Sequence, residues 1–265
     1  MNEIDVSDVA FSYGGEVILK DLSFSVQQGD FLCILGESGC GKSTLMRLLA
    51  GLDFPQSGTV KTAGHPVQGP GLDRSVVFQN YDLYPWLSTG ANMVLTMKQN
   101  FRDKSKGELR SLIEQSFERV GLEKSVFDKY PNELSGGMRQ RCALCRALAL
   151  DSSIMLMDEP FGALDAITRN RLQNLIIDLW ERETPRKTVV FVTHDVNEAL
   201  YLATKIIVLG QKPSKVIYSC EIQRHEHLSH EDILDDERFK SIRQDILDAL
   251  AHNTQEKVKE YEYCN

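Results

Sequence analysis

The stretch that decides the fold is Gly36-Glu37-Ser38-Gly39-Cys40-Gly41-Lys42-Ser43-Thr44, which matches the pattern G-x-x-x-x-G-K-[ST]. It lies between a short apolar run at 31–35, which suits a strand buried on both faces, and a helical pattern that starts near Lys42. In such a strand–turn–helix unit the glycines let backbone N–H groups turn toward phosphate oxygens, and the helix N-terminus adds about half a positive charge. The sequence therefore predicts a nucleotide-binding loop at 36–44.

Two side chains of this loop carry its charged chemistry. Lys42 is predicted to reach the β- and γ-phosphates, and the Ser43 hydroxyl is predicted to ligate Mg²⁺. The predicted cofactors are accordingly ATP and Mg²⁺. The predicted nucleotide contacts in the loop are Gly36, Glu37, Ser38, Gly39, Cys40, Gly41, Lys42, Ser43 and Thr44.

The second half of an ATPase site should be an acid at the end of a buried strand. Asp158 and Glu159 directly follow the apolar run 154–157. Asp158 suits a contact to the Mg²⁺ shell, and Glu159 is placed to polarise the attacking water. A lone acidic pair would favour a solvated strand end, but the phosphate loop in the same chain favours a catalytic pair.

A second anion cradle is predicted at Leu134-Ser135-Gly136-Gly137-Met138, which opens a helix. One nucleotide does not need two cradles, so we expect this one to serve the nucleotide of another subunit. If the motif stood alone, a helix N-cap followed by a glycine turn would be the better interpretation.

Alternation of strands and helices along the rest of the chain indicates an α/β fold with a mainly parallel sheet. Strands are predicted at 3–13 and 22–31, followed by a polar, Gly- and Pro-rich stretch at 53–70. Ser105 and Glu108 form a capping box that opens a helix within a helical stretch at 92–133. Further strands are predicted at 74–79, 153–157, 188–192, 205–209 and 215–219. Helices are predicted at 166–182, after 195 and, at the C-terminus, around 239–250.

Composition excludes several function classes. The chain has 265 residues, of which 42% are apolar, and its 30 Lys and Arg against 38 Asp and Glu give a net charge of −8. An acidic chain lacks the basic footprint of a sequence-independent nucleic-acid binder. No apolar run approaches the roughly 18–20 residues of a membrane-spanning helix, and the N-terminal MNEIDVSDV is not a signal peptide. A soluble, intracellular chain is predicted.

Cysteines and histidines suggest metal sites that we do not favour. Cys142 and Cys145 form a C-x-x-C, but no second Cys or His pair lies nearby to complete four ligands. They fall in a helical pattern, so both thiols are expected to pack as small hydrophobic groups. His225, His227 and His230 are interpreted as part of a solvated polar loop.

At this point the sequence resembles the ATP-binding subunits of ABC transporters over nearly its whole length. The phosphate loop, LSGGM at 134–138 and MLMDEP at 155–160 occur in that family's order, as do Tyr13, Gln79, Ala163-Leu164-Asp165 and His194. The resemblance implies the ABC ATPase fold: a P-loop NTPase core, an N-terminal antiparallel β subdomain and a helical insert at about 92–150. It also implies an ATPase domain at 1–220, followed by a C-terminal loop and helix at 221–265.

The resemblance also implies roles for single residues. Tyr13 would stack on adenine, although a core aromatic is the alternative, and His194 would contact the γ-phosphate unless it is a satisfied strand-end histidine. Asp165 would lie at a dimer seam. The implied catalytic residues are Lys42, Gln79, Glu159 and His194. The implied metal contacts are Ser43, Gln79 and Asp158, and the implied contacts to the partner subunit's nucleotide are Ser135, Gly136, Gly137 and Gln140.

Within that family, residues 78–95 resemble importer subunits of the nitrate, sulfonate and taurine group. The implied partners are a second ATPase subunit, for which a homodimer is expected, an integral membrane permease and, through the permease, an extracytoplasmic substrate-binding protein, with no nucleic acid. The chain would then be peripheral, on the cytoplasmic face of the membrane. Two departures are Glu37, where proline is common, and the cysteines at 142 and 145 in place of small aliphatic residues.

Three classes of function are compatible with a phosphate loop. A transport ATPase accounts for every motif. A soluble ABC ATPase of DNA repair or translation would carry a long coiled-coil insertion or two ATPase halves, and a small-molecule kinase would leave LSGGM without a purpose. The aromatic cluster Tyr81, Tyr84, Pro85, Trp86 and Leu87 is interpreted as the permease contact, with a core role in the helical insert as the alternative.

Overall fold

The computed structural model describes residues 2–78, 83–99, 101–150, 152–162, 164–223 and 229–263. The elements, in chain order, are β1 (Asn2–Tyr13), β2 (Glu16–Gln27), β3 (Phe31–Gly36), α1 (Lys42–Ala50), β4 (Ser57–Thr62), β5 (His65–Pro66), β6 (Arg74–Val77), α2 (Thr89–Met97), α3 (Lys106–Arg119), α4 (Gly136–Ala149), β7 (Ile154–Asp158), α5 (Ala166–Arg182), β8 (Thr188–Thr193), α6 (Val196–Leu202), β9 (Lys205–Leu209), β10 (Val216–Glu221), α7 (His230–Asp235) and α8 (Glu237–Tyr263).

These elements form two compact units, one of Met1–Gly71 with Pro185–Asn265 and the other of Leu72–Thr184. The C-terminal segment therefore belongs to the same unit as the phosphate loop. The domain boundary predicted at residue 220 separates an ATPase domain from a C-terminal loop and helix, whereas these two units are defined by compactness. That boundary stays a prediction.

The first unit contains an antiparallel sheet with strand order β2-β1-β4-β5. Its N-terminal strands were predicted from the alternation of apolar and polar residues, although β2 starts earlier than expected, at Glu16. Strand β4 was missed, because the stretch 53–70 was interpreted as polar and irregular. Only Val60 and Thr62 of β4 are buried, so the strand shows hardly any apolar alternation.

The same unit holds a mixed sheet in which β3 lies between β8 and β9. Both neighbours run parallel to β3, and β10 pairs antiparallel with β9. All residues of β3 and β8 are buried, as continuous apolar runs predict for strands covered on both faces. This sheet positions the phosphate loop, because β3 ends at Gly36.

The second unit combines the parallel pair β6 and β7 with helices α2 to α5. The capping box predicted from Ser105 and Glu108 is present, with the Ser105 backbone N–H donating to the Glu108 carboxylate at 2.8 Å. The helical stretch starts slightly before residue 92, because Ser88 caps α2 by accepting from the Ala91 N–H.

The C-terminal helix is confirmed as α8, with Phe239 and Ile246 buried on one face. His230 was expected in a polar loop, but it begins α7, because the Ser229 hydroxyl accepts from the Asp232 N–H and forms a capping box. His225 and His227 lie outside the described residues. Among the helices that the structure describes, none is both long and apolar enough to cross a membrane.

Candidate nucleotide-binding and ATPase site

The turn between β3 and α1 is too tight for side chains at its glycines. A Cβ at Gly36 would lie 2.6 Å from the Cys40 sulfur, and Gly41, the N-cap of α1, has a φ of 106°. L-residues with side chains rarely adopt that backbone conformation. The start of α1 therefore carries a bare backbone, which is the arrangement that binds anions at helix N-termini.

Lys42 reaches back into the loop that it follows. Its ammonium donates to the carbonyl oxygen of Gly36 at 2.8 Å and to that of Glu37 at 3.0 Å, and the residue is buried. Ser38, Gly39 and Ser43 remain exposed along the loop. An exposed backbone and the Lys42 ammonium therefore meet in this loop, a chemistry suited to phosphate groups.

The connection between β9 and β10 supports the loop from one side. The Ser214 hydroxyl donates to the carbonyl oxygen of Cys40. Burial raises the pKa of the Cys40 thiol, so this cysteine stays protonated at neutral pH and serves as a small packing group.

Tyr13 is held in a polar cluster at the surface rather than in the core. It is 47% exposed, which excludes the alternative of a core aromatic. Its hydroxyl donates to the Asp53 carboxylate at 2.8 Å, and Arg47 of α1 donates to the same carboxylate at 2.6 Å. Burial, followed by the hydrogen bond to Asp53, raises the pKa of Tyr13, which keeps the phenol protonated as a donor.

His194 is placed beside the phosphate loop by strand register. Thr193, the last residue of β8, pairs with Leu35 in the parallel ladder between β3 and β8. The next residue on each strand, His194 and Gly36, therefore lies at the same carboxyl edge of the sheet, where ligands of α/β proteins bind. His194 is exposed at that edge.

The two predicted acids lie in the second unit at the end of β7. Asp158 is its last residue and is buried, whereas Glu159 follows with a φ of 43°. A left-handed backbone at a non-glycine residue is a strained feature that often marks functional sites. Parallel pairing of Val77 with Met157 brings the end of β6 to the same edge. Gln79, the predicted sensor after β6, lies outside the described residues.

The second anion cradle, at Ser135–Gly137, is accessible to solvent and lines a cavity. Ser135 caps α4 by accepting from the Met138 N–H at 3.3 Å. Asp165, the predicted seam residue, caps α5, and the backbone N–H of Thr168 holds the pKa of its carboxyl below the usual value. The cavity measures about 570 Å³, and its lining includes Ser135, Gly136, Gly137, Met138, Leu164, Asp165 and Thr168. Motifs that were separate in the sequence are therefore neighbours.

Two basic residues of this cavity were missed. Arg141 and Lys129 both line it, and Arg141 donates to the carbonyl oxygen of Gly121 at 2.9 Å. Arg141 lies four residues after Gly137 on α4, so helical spacing was a usable signal, whereas the sequence offers none for Lys129. Gln140, a predicted nucleotide contact, is 2% exposed. Its role stays a prediction.

The C-x-x-C motif packs as expected for small hydrophobic groups. Cys142 and Cys145 are both buried in α4. Burial raises the pKa of Cys142 to about 12 and raises that of Cys145 further, so neither thiol is a ready thiolate at neutral pH.

Comparison with known proteins identifies the family. The ABC transporter family model matches residues 19–162. The nitrate import ATP-binding protein NrtD of Synechococcus elongatus is 43% identical over 238 residues, which cover 89% of this chain and 86% of that protein. The bicarbonate transport ATP-binding protein CmpC of Synechocystis sp. is 40% identical over 97% of this chain, which spans 38% of CmpC.

A solved structure agrees in fold. The dimeric, post-hydrolysis ATP-binding cassette MJ0796, bound to ADP and Pi, superposes with a TM-score of 0.73 at 31% identity, covering 84% of this chain and 100% of that one. Fold and site define an α/β ATPase cassette. The chain belongs to the ABC transporter family and is an ABC ATPase, so the predicted fold class, enzyme class and family are confirmed.

The polar cluster around Tyr13 yields a prediction. From the implied stacking of Tyr13 on adenine, we predict that Asp53→Ala, which removes the acceptor of the Tyr13 hydroxyl, lowers ATP affinity about threefold to fivefold, the size of one hydrogen bond. Affinity for inorganic tripolyphosphate, which has no base to stack, should stay the same. Calorimetric titration of both ligands measures these two affinities. Tyr13→Phe is the matched variant, because it keeps the ring but loses the hydroxyl that donates to Asp53. Equal losses for both ligands would show that Asp53 supports the phosphate loop instead.

Proposed function

We propose that this ABC ATPase is the ATP-hydrolysing subunit of an importer, which dimerises around two ATP and drives a separate membrane permease. The observation that carries the proposal is one chain with both a complete phosphate loop at 36–44 and a second, open anion cradle at Ser135–Gly137. The transported solute would be nitrate, sulfonate, taurine or a related small solute, in line with the nitrate and bicarbonate functions named for the relatives. The chain would act on the cytoplasmic face of the membrane.

The site residues fit ATP and Mg²⁺ by their chemistry. Lys42 and the backbone of 36–44 would hold the phosphates, because the ammonium lies against the carbonyl oxygens of Gly36 and Glu37 within the loop. Ser43 and Asp158 offer the oxygen ligands that Mg²⁺ prefers, and Gln79 is the third predicted metal contact. Bound Mg²⁺ would neutralise developing charge on the phosphates. Glu159 would take a proton from the attacking water, and His194 would donate to the γ-phosphate.

The second subunit completes each site in this account. Ser135, Gly136 and Gly137 would grip the γ-phosphate held by the partner's loop, with the cavity beside them accepting the partner. Asp165 would lie at the seam, and Lys129 and Arg141 add positive charge to the same cavity. The dimeric cassettes among the similar structures support this arrangement. We propose a homodimer.

The permease would dock near the aromatic cluster after Gln79. Trp86 is 70% exposed and its ring lies 5.3 Å from that of Tyr84, so this part of the cluster does not serve as core. A cavity of about 660 Å³ adjoins it, lined by Val76, Phe78, Leu83, Tyr84, Pro85, Leu95, Thr96, Gln99, Arg146 and Leu150. Exposed aromatics beside an apolar cavity are typical anchors for a partner helix. The permease would in turn receive solute from an extracytoplasmic binding protein.

A soluble role in DNA repair or translation remains the alternative from another class. The net charge of −8 opposes a nucleic-acid surface, and the surface aromatics at 84–86 would have no partner in such a protein. Stimulation of ATPase activity by DNA or ribosomes would favour that alternative.

Glu159→Gln tests the ATPase assignment. The variant keeps the side-chain shape but loses the base, so hydrolysis should fall by at least about 10²–10⁴-fold while ATP binding persists. With Mg-ATP it should elute from size-exclusion chromatography as a stalled dimer. Glu118→Gln, which removes an exposed carboxylate of α3, is the control and should behave as wild type. A Glu159→Gln chain that stays monomeric at saturating Mg-ATP would refute the sandwich dimer.

Trp86→Ala tests the permease contact. Loss of an aromatic side chain that the permease would bury should cost about 2 kcal/mol of permease affinity. The melting temperature and basal ATPase of the isolated subunit should hardly change, since the side chain is exposed there. Co-purification with the permease from solubilised membranes is the measurement, with exposed Tyr130→Ala as the control. A large fall in melting temperature with permease binding intact would mean that Trp86 is a structural residue.

A further inference from the structure

The phosphate loop is tied to the C-terminal helix through the side chain of Glu37. One carboxylate oxygen of Glu37 accepts from the Gln211 side-chain amide at 2.8 Å. The other lies 3.1 Å from the Thr254 hydroxyl of α8, whose single proton it shares with the Leu250 carbonyl oxygen at 3.0 Å. One carboxylate thus joins the loop, the β9–β10 connection and α8, all within the first compact unit.

The two donors are themselves held in place. The Asn253 side-chain oxygen accepts from the Gln211 backbone N–H at 2.7 Å. A Cβ at Gly210 would approach the Asn253 amide to 2.9 Å, so α8 fits closely at this residue against the β9–β10 connection. These contacts fix the direction from which Gln211 and Thr254 meet Glu37.

Glu37 also contacts the lysine of the loop, through its backbone. Its carbonyl oxygen accepts from the Lys42 ammonium at 3.0 Å. The same residue is therefore held by α8 through its side chain and by Lys42 through its main chain. Any displacement of Glu37 would move a carbonyl that orients the lysine.

Because Glu37 is negatively charged, the direction in which its carboxylate points affects phosphate binding. A carboxylate within an anion-binding loop repels phosphate groups, and repulsion grows as the distance shrinks. Hydrogen bonds to Gln211 and Thr254 direct the carboxylate toward α8. A released carboxylate would be free to turn toward the phosphates or to compete for Lys42.

We propose that Gln211 and Thr254 are positioning residues of the nucleotide site, which act by holding the Glu37 carboxylate and pre-ordering the phosphate loop. This inference rests on the proposed role of the loop in nucleotide binding. A loop that is ordered before binding loses less conformational freedom when the nucleotide binds. The C-terminal helix is on this account a support of the site and not an appendage.

The proposal predicts a binding defect without a chemical defect. Thr254→Val removes only the hydroxyl, and Gln211→Ala removes the amide. Each should weaken Mg-ADP binding about fivefold, which corresponds to the loss of one hydrogen bond. In ATPase assays KM should rise by a similar factor and account for most of the loss in kcat/KM, because Glu159 and His194 are unchanged and only the support of Lys42 is altered.

Calorimetric titration of the full chain with Mg-ADP measures the binding, and a thermal melt without nucleotide reports folding. Thr254→Ser keeps the hydroxyl and should restore wild-type affinity. Gln255→Ala changes the next, exposed residue of α8 and controls for disturbance of the helix. In a Glu37→Ala background, Thr254→Val should add nothing, since the carboxylate it holds is gone.

The results separate this inference from the proposed function. If wild type binds no Mg-ADP, the phosphate-loop assignment fails, and the inference fails with it. If wild type binds and both Thr254→Val and Gln211→Ala match it, only the inference is wrong. A Thr254→Val defect that persists undiminished in the Glu37→Ala background would also overturn it, because the effect would then not pass through Glu37.

Discussion

The rest of this site depends on the absence of side-chain volume at the turn between β3 and α1. With hydrogen at Gly36, the chain folds back so closely that Lys42 reaches the carbonyl oxygens at the end of the strand. Any larger residue would push against the Cys40 sulfur and open the turn.

Strand register also positions residues of the site within the first unit. Parallel pairing sets Thr193 beside Leu35, so the residues that follow them emerge at one edge. In the second unit, parallel pairing sets Val77 of β6 beside Met157 of β7, so these two strands end at one edge. Each unit thus gathers its polar residues at the carboxyl ends of buried parallel strands.

Local signals predicted much of this arrangement. The phosphate loop, the acids at the end of β7 and the capping box at Ser105 depend on neighbours within a few residues, and sequence spacing reports such neighbours directly. Strand β4 escaped prediction because its ladder partner, rather than its own polarity pattern, makes it a strand. His230 was misplaced because a single capping serine outweighed the polar composition around it.

Long-range contacts account for the remainder. The donors to Glu37 lie 174 and 217 residues away along the chain, so no local pattern relates them to the loop. Lys129 likewise reaches the second cradle only through packing of the segments around it. Glu37 stands at a position where proline is common in the family. Its partners give that departure a physical meaning, since only a side chain with acceptors can be held by α8.

The most direct test of this account is a calorimetric titration of Mg-ATP into Lys42→Ala at a pH where both proteins are folded. The account predicts one ATP per chain for wild type. It predicts loss of most of that affinity for Lys42→Ala, because the ammonium that the Gly36 and Glu37 carbonyls orient is missing. An unfolding transition like that of wild type would show that the variant is intact. A folded Lys42→Ala chain that binds Mg-ATP with wild-type affinity would contradict the central claim that the β3–α1 turn is the nucleotide site.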